Sequence, residues 1–125
     1  IDLSCESESK PKNKDVCNIR KNDIIFDIGE KSLTEIKSII NKSSAIFWNG
    51  PLGYVEKKPF DKGTIELAKI IAEHNCFSII GGGDTLPIIE NLNLQSQYSC
   101  LSTGGGSLLT YLEGGYLPIL DKLDL

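Results

Sequence analysis

Two runs of three consecutive glycines are places where this chain could do chemistry without a reactive side chain. One is Gly81-Gly82-Gly83, continued by Asp84-Thr85; the other is Gly104-Gly105-Gly106, led in by Ser102-Thr103. Glycine lets main-chain N–H groups approach a ligand with no Cβ in the way, at an entropic cost that a plain connector need not carry. A helix starting just after such a loop aims free N–H groups and a partial positive charge at a bound phosphate. Tight packing of helix on sheet is the competing account of a single triplet. Two triplets at equivalent places in successive units favour phosphate. No G-x-x-x-x-G-K-[ST] occurs, which excludes a Walker-type loop.

Asp84 stands at the mouth of the first triplet, beside Thr85. A carboxylate next to phosphate-directed amides repels the ligand unless a cation lies between them. Mg²⁺, held by one or two carboxylates together with phosphate oxygens, is the usual solution. Taken alone, Asp84 or Thr85 reads equally well as a plain helix N-cap. A third loop, Asn49-Gly50-Pro51-Leu52-Gly53, runs on to Glu56. By itself Glu56 reads as a surface residue and Trp48 as core.

These loops need elements to position them. The first 22 residues are polar and weakly patterned and read as a loop-rich lead-in, with room for short strands. Ile24-Ile25-Phe26 reads as a strand ending at Asp27-Ile28-Gly29. Ser32 and Glu35 have capping-box spacing, and Leu33, Ile36, Ile39 and Ile40 give one apolar face, so a helix is expected over 32–41. Ala45–Trp48 is a strand too apolar to be an exposed one; Thr64–Glu73 is a helix with Leu67, Ala68, Ile71 and Ala72 inward; Phe77–Ile80 is a second buried strand. A short helix over Leu86–Asn91 with Pro87 in its first turn, a strand over Tyr98–Leu101, and a helix carrying Leu108, Leu109 and Leu112 and closed by Gly114 complete the pattern. Strand–helix alternation of this kind predicts an α/β fold, a Rossmann-like parallel sheet with helices on both faces. In such sheets ligands bind beyond the carboxyl ends of the strands, where all three loops fall.

At 125 residues, 40% apolar and 24% charged, the chain suits one modest domain or part of a larger one. No apolar run approaches the roughly 18–20 residues needed to cross a bilayer, and the start lacks the form of a signal peptide. A cytoplasmic chain is expected. It contains no Met and begins at Ile1, which reads as a processed product or, more simply, a fragment. The net charge of −4 argues against tracking nucleic-acid phosphates, and the basic cluster between Lys10 and Lys21 reads as a solvated loop. Cys5, Cys17, Cys76 and Cys100 form no C-x-x-C pair and His74 is the only histidine, so reduced thiols are expected, with Cys76 and Cys100 buried beside strands.

Trp48-Asn49-Gly50-Pro51-Leu52-Gly53-Tyr54-Val55-Glu56, followed by Phe60 and Gly63-Thr64, resembles the W-N-G-P-x-G-x-x-E…F…G-T segment of phosphoglycerate kinases. Gly81-Gly82-Gly83-Asp84-Thr85 is similar to that family's G-G-G-D-[ST] loop, and Ser102–Gly106 with Leu109, Leu112, Glu113 and Gly114 to its S-T-G-G-G…L…L-E-G ending. Asp27-Ile28-Gly29 is similar to its D-I-G. The four segments stand in the right order and cover most of 27–118. The resemblance implies the C-terminal part of a nucleotide-binding lobe, spanning 1–125, from a kinase that moves a phosphoryl group between ATP and 3-phosphoglycerate, with Mg²⁺ as cofactor. It implies that Asn49, Gly50, Leu52 and Val55 line the nucleoside pocket and that Glu56 bonds the ribose hydroxyls. Asp84 would bind Mg²⁺; Gly82, Gly83 and Thr85 would contact phosphates; Gly104, Gly105 and Gly106 would present amides to the phosphoryl group in transit.

Several positions depart from the family pattern: Glu30 for a Pro, Val55 for a bulky Phe or Met, Pro87 for a small residue, Thr110 for a Glu, and Leu117-Pro118-Ile119 without a Gly after the Pro. None removes a ligand. The substrate lobe and the phosphate-binding lysines have no counterpart, so the chain alone is expected to be inactive, its first strand exposing an unpaired edge. ADP/ATP is the expected partner, with 3-phosphoglycerate or 1,3-bisphosphoglycerate bound by missing polypeptide, and a monomer when full length. A non-catalytic nucleotide-binding or assembly module is the second reading; a dinucleotide-dependent oxidoreductase lacks its G-x-G-x-x-G.

Overall fold

The computed structural model describes residues 2–7 and 10–117. Strand β1, Asp2–Ser7, pairs antiparallel with β2, Lys10–Asp15, and on its other edge with β3, Ile24–Ile28, giving the order β2-β1-β3. The lead-in is thus largely paired strand rather than loop. Its alternation is weak because β2 is a solvent-facing edge on which Lys12 is exposed, while Cys5 of β1 is fully buried. Lys14 ties β2 to the turn before β3 through both oxygens of Asp23, at 2.7 Å each.

Helix α1 spans Glu30–Ile40 and starts two residues before the expected point, with Gly29 as its N-cap. Ser32 therefore lies inside the first turn and makes no capping box. The cap comes from β1: the Asp2 carboxylate accepts the Ser32 N–H at 2.9 Å, Ser32 Oγ accepts the Asp2 N–H at 2.9 Å, and Gly29 N–H donates to the Asp2 carbonyl at 3.0 Å. Of the expected apolar face, Ile40 is buried and Leu33 and Ile36 are half-buried, but Ile39 is 65% exposed.

The rest of the chain alternates as its periodicity predicts. Strand β4 is Ala45–Asn49, α2 is Lys62–Glu73, β5 is Phe77–Gly81, α3 is Leu86–Asn91, β6 is Cys100–Ser102 and α4 is Gly106–Leu112. The three strands form a parallel sheet in the order β4-β5-β6. Thr64, Leu67, Ala68 and Ile71 of α2 recur at helical spacing and are all buried, and the last three pack with Trp48, Ile80, Ile89, Tyr98 and Ile40 in one core. Tyr98 closes it by donating to the Ala68 carbonyl at 2.9 Å, and burial pushes its phenol up to about 12. Helix α4 ends as expected, with Gly114 at φ 73°. Gly114 and Gly115 donate to the Tyr111 and Thr110 carbonyls, the bond pattern of a Schellman cap.

Three expectations need correction. Strands β4 and β5 are not buried on both faces: Phe47 and Phe77 are 44% and 57% exposed, because the Trp48–Ile80 face takes the helix core and the opposite face does not. Helix α4 reaches that second face through Leu108, which lies against Gly81. Cys100 is exposed and Cys76 half-buried; the buried thiol is Cys5, and all four cysteines are free. Strand β3 belongs to the antiparallel sheet, as an outer strand paired with β1 alone, and among the described residues the outer strands of the parallel sheet are β4 and β6. The Leu117-Pro118-Ile119 departure lies in part outside the described residues, which end at 117.

Candidate functional site

Parallel register fixes where the three loops emerge. Asn49 is level with Gly81, and Gly81 with Ser102, so the loops leave the sheet side by side. At about 4.8 Å between neighbouring strands the row is roughly 10 Å wide. The first two loops touch through main chain: Gly50 N–H donates to the Gly81 carbonyl at 3.3 Å. A Cβ on Gly82 would come within 2.8 Å of the Gly50 nitrogen, and one on Gly81 within 2.7 Å of Asn49 Oδ1. Gly50 and Gly82 both need the left-handed region, at φ 89° and 103°. Backbone and packing fully account for these glycines.

They do not account for the others. A Cβ on Gly83, Gly105 or Gly106 would meet nothing within 4 Å, and only Gly105, at φ 47°, has a conformation that disfavours a side chain. Gly83 and Gly106 are therefore glycine for no reason found among the described residues. The N–H groups of Gly83, Asp84, Gly105 and Gly106 also donate to no loop acceptor among the described residues. These are bare amides on an open surface.

Asp84 is exposed at this surface, and Thr85 behind it is fully buried. Thr85 occupies the N-cap position of α3 but makes no cap bond, and among the described residues its Oγ1 has no hydrogen-bond partner. The plain-cap reading of Thr85 is thereby set aside. A buried hydroxyl without a partner beside bare amides fits an acceptor brought from outside, such as a phosphate oxygen. Among the described residues no three His, Cys, Asp or Glu side chains converge on one point. A lone carboxylate suits Mg²⁺, which takes one or two protein oxygens and completes its shell with phosphate and water.

The third loop is held from both ends. Trp48 Nε1–H donates to the Gly50 carbonyl at 2.6 Å, and Thr64 Oγ1 accepts from the Leu52 and Gly53 amides at 3.0 and 3.4 Å. Tyr54 N–H donates to the Phe26 carbonyl at 2.7 Å, and its ring stacks on Phe26 with centroids 5.7 Å apart. Asn49 and Gly50 thus sit against the first triplet. Val55, half-buried, and Glu56, exposed, lie further along the loop, just past the Tyr54 contact to β3.

The profile of the phosphoglycerate kinase family matches residues 1–115. The chain belongs to this family. Phosphoglycerate kinase from Buchnera aphidicola subsp. Schizaphis graminum is 48% identical over 107 residues, covering 86% of this chain and 28% of that protein. The Blochmanniella pennsylvanica phosphoglycerate kinase is 42% identical over 119 residues, covering 94% of this chain and 30% of that protein. The solved structure of phosphoglycerate kinase from Coxiella burnetii superposes with a TM-score of 0.87 at 35% identity, over 96% of this chain and 32% of that one. The Pyrococcus horikoshii enzyme superposes at 0.85 with 30% identity. The chain therefore spans less than a third of the length of these phosphoglycerate kinases.

Two residues that shape this phosphoglycerate kinase surface drew no role from the sequence. In the sequence Thr64 is only the first residue of a helix and half of the Gly63-Thr64 pair. Asp27, 4% exposed at the end of β3, accepts the Gly63 N–H and the Ile28 N–H, each at 2.8 Å. Burial pushes its carboxyl above the usual range against the opposing effect of those two amides, with Asp61 adding to the rise. The available signal was a carboxylate in an apolar strand together with isolated glycines at 53 and 63.

Proposed function

We propose that this chain supplies the Mg-nucleotide side of the phosphoglycerate kinase reaction, as the C-terminal part, 1–125, of the nucleotide-binding lobe. The reaction moves the terminal phosphoryl group of ATP to the carboxylate of 3-phosphoglycerate, and runs in reverse from 1,3-bisphosphoglycerate to ADP. The bond from phosphorus to the leaving ADP oxygen breaks as the bond to the carboxylate oxygen forms. Such transfer needs positioning and charge stabilisation more than covalent help from the protein. The observation that carries this reading is the pair of glycines, Gly83 and Gly106, that neither backbone nor packing requires, each beside bare amides.

Asn49, Gly50, Leu52 and Val55 hold the nucleoside, and Glu56 bonds the ribose hydroxyls. Gly82, Gly83 and Thr85 contact the phosphates, the Thr85 hydroxyl gaining the acceptor it lacks. Asp84 holds the magnesium ion, which offsets charge on the phosphate oxygens when bound. Gly104, Gly105 and Gly106 present amides to the phosphoryl group in transit, donors fixed in place before charge develops. The acid substrate binds polypeptide outside these 125 residues, so the chain alone transfers nothing. The working protein is a cytoplasmic, monomeric enzyme of glycolysis.

Calorimetry with Mg-ADP tests this directly. Asp84→Ala is expected to weaken binding by about tenfold or more, roughly 1.4 kcal/mol, and to remove its dependence on Mg²⁺. A coupled assay is expected to show no turnover by the isolated chain. Equal, weak binding by both forms would favour a non-catalytic module, a reading that the chain's short span relative to its family makes worth separating. Robust turnover would contradict the division of labour.

A further inference from the structure

We propose that Asp27 is a positioning residue for nucleotide binding: its buried carboxylate, hydrogen-bonded to Gly63 and packed against Gly53, braces both ends of the 53–63 segment on strand β3 and so sets the nucleoside pocket. The proposal rests on the nucleotide reading above and goes past it to a residue that touches no ligand.

The geometry is a clamp on main chain. Asp27 Oδ2 accepts the N–H of Gly63, in the first turn of α2, at 2.8 Å. The same carboxylate fills the space where a Cβ on Gly53 or on Gly63 would stand, so it lies directly against both residues. One residue earlier on β3, the Phe26 carbonyl takes the Tyr54 N–H at 2.7 Å. Gly53 and Tyr54 lie between Leu52 and Val55, the residues assigned to the nucleoside. From the other side Thr64 Oγ1 takes the Leu52 and Gly53 amides. The main chain at Leu52–Val55 is thereby fixed between β3 and α2.

A carboxylate is an expensive choice for this position. Burial disfavours its charge, and among the described residues no Lys or Arg pairs with it. A small apolar residue would fit the core more cheaply but could not hold two glycines ten positions apart. What the carboxylate adds is the conformation of the loop, and a shift of about 1 Å in a binding loop is enough to cost one to two orders of magnitude.

The test is Mg-ADP affinity of the 125-residue chain, measured on folded protein as checked by circular dichroism, for the wild type, Asp27→Ala and Asp27→Asn. Wild type binds; Asp27→Ala is expected to bind about tenfold or more weakly, and Asp27→Asn, which has the same shape and keeps one acceptor oxygen for the Gly63 N–H while giving up the one at Ile28, to stay within about threefold. Amide exchange at Leu52, Gly53 and Gly63 is expected to speed up in Asp27→Ala and not in Asp27→Asn. If Asp27→Ala does not fold, Asp27→Thr, which fills the space but cannot bridge both glycines, takes its place with the same expectation. Wild-type affinity in the folded Ala or Thr variant, with only a lower Tm, would overturn the clamp while leaving the nucleotide site standing. Absence of Mg-ADP binding by the wild type would instead remove the nucleotide reading, and the clamp with it.

Discussion

Thr85 keeps a fully buried hydroxyl without a partner, a state that costs about 1–3 kcal/mol unless something outside the chain bonds it. Its neighbours Gly83 and Asp84 are open to solvent, and Gly83 has no conformational or steric reason to be glycine. Residues that are locally wrong for stability and locally right for an anion are what a binding surface looks like before it is filled. Thr85→Val separates the two costs, because valine has the shape of threonine without the hydroxyl. Thermal unfolding should show stability unchanged or raised by about 1 kcal/mol. Calorimetry should show Mg-ADP binding weakened. A loss of stability would mean that the hydroxyl serves the fold.

At the scale of elements, the strand–loop–helix units were legible because each strand is a short apolar run stopped by glycine, and each helix shows its spacing. Leu86–Asn91 and the Gly114 cap came out as read, because Pro87 and Gly114 are local signals. What stayed hidden was set at long range. The cap of α1 is Asp2, 30 positions away, and the clamp on Gly63 is Asp27, 36 positions away. Ser32 had the local look of a cap, and tertiary pairing overrode it. The strands of the lead-in were allowed for but not placed, for a related reason: β1 pairs with both β2 and β3, yet only Leu3 and Cys5 supply apolar alternation. Asp2→Ala should cost about 1 kcal/mol, as loss of a helix cap does, with faster amide exchange over 30–33. An unchanged melting curve and unchanged exchange would show that α1 needs no cap from β1.

Among the described residues the parallel sheet has one open face and two open edges, at β4 and β6. Parallel sheets are normally covered on both sides, yet Phe47 and Phe77 are exposed and β4 pairs on one edge only. The chain spans 32% of the Coxiella burnetii structure it matches, so much of what that fold contains has no counterpart here. The three loops proposed to meet the nucleotide, with Asp84 and Thr85, all lie within the described residues. Nucleotide binding without transfer is the behaviour this division predicts. The most direct measurement is an NMR titration of the amide resonances of the 125-residue chain with Mg-ADP. Shifts should concentrate at 49–56, 82–85 and 104–106, and the Asp84→Ala form should lose its Mg²⁺-dependent part. Shifts confined to the exposed Phe47–Phe77 face, or none at saturating nucleotide, would contradict the account.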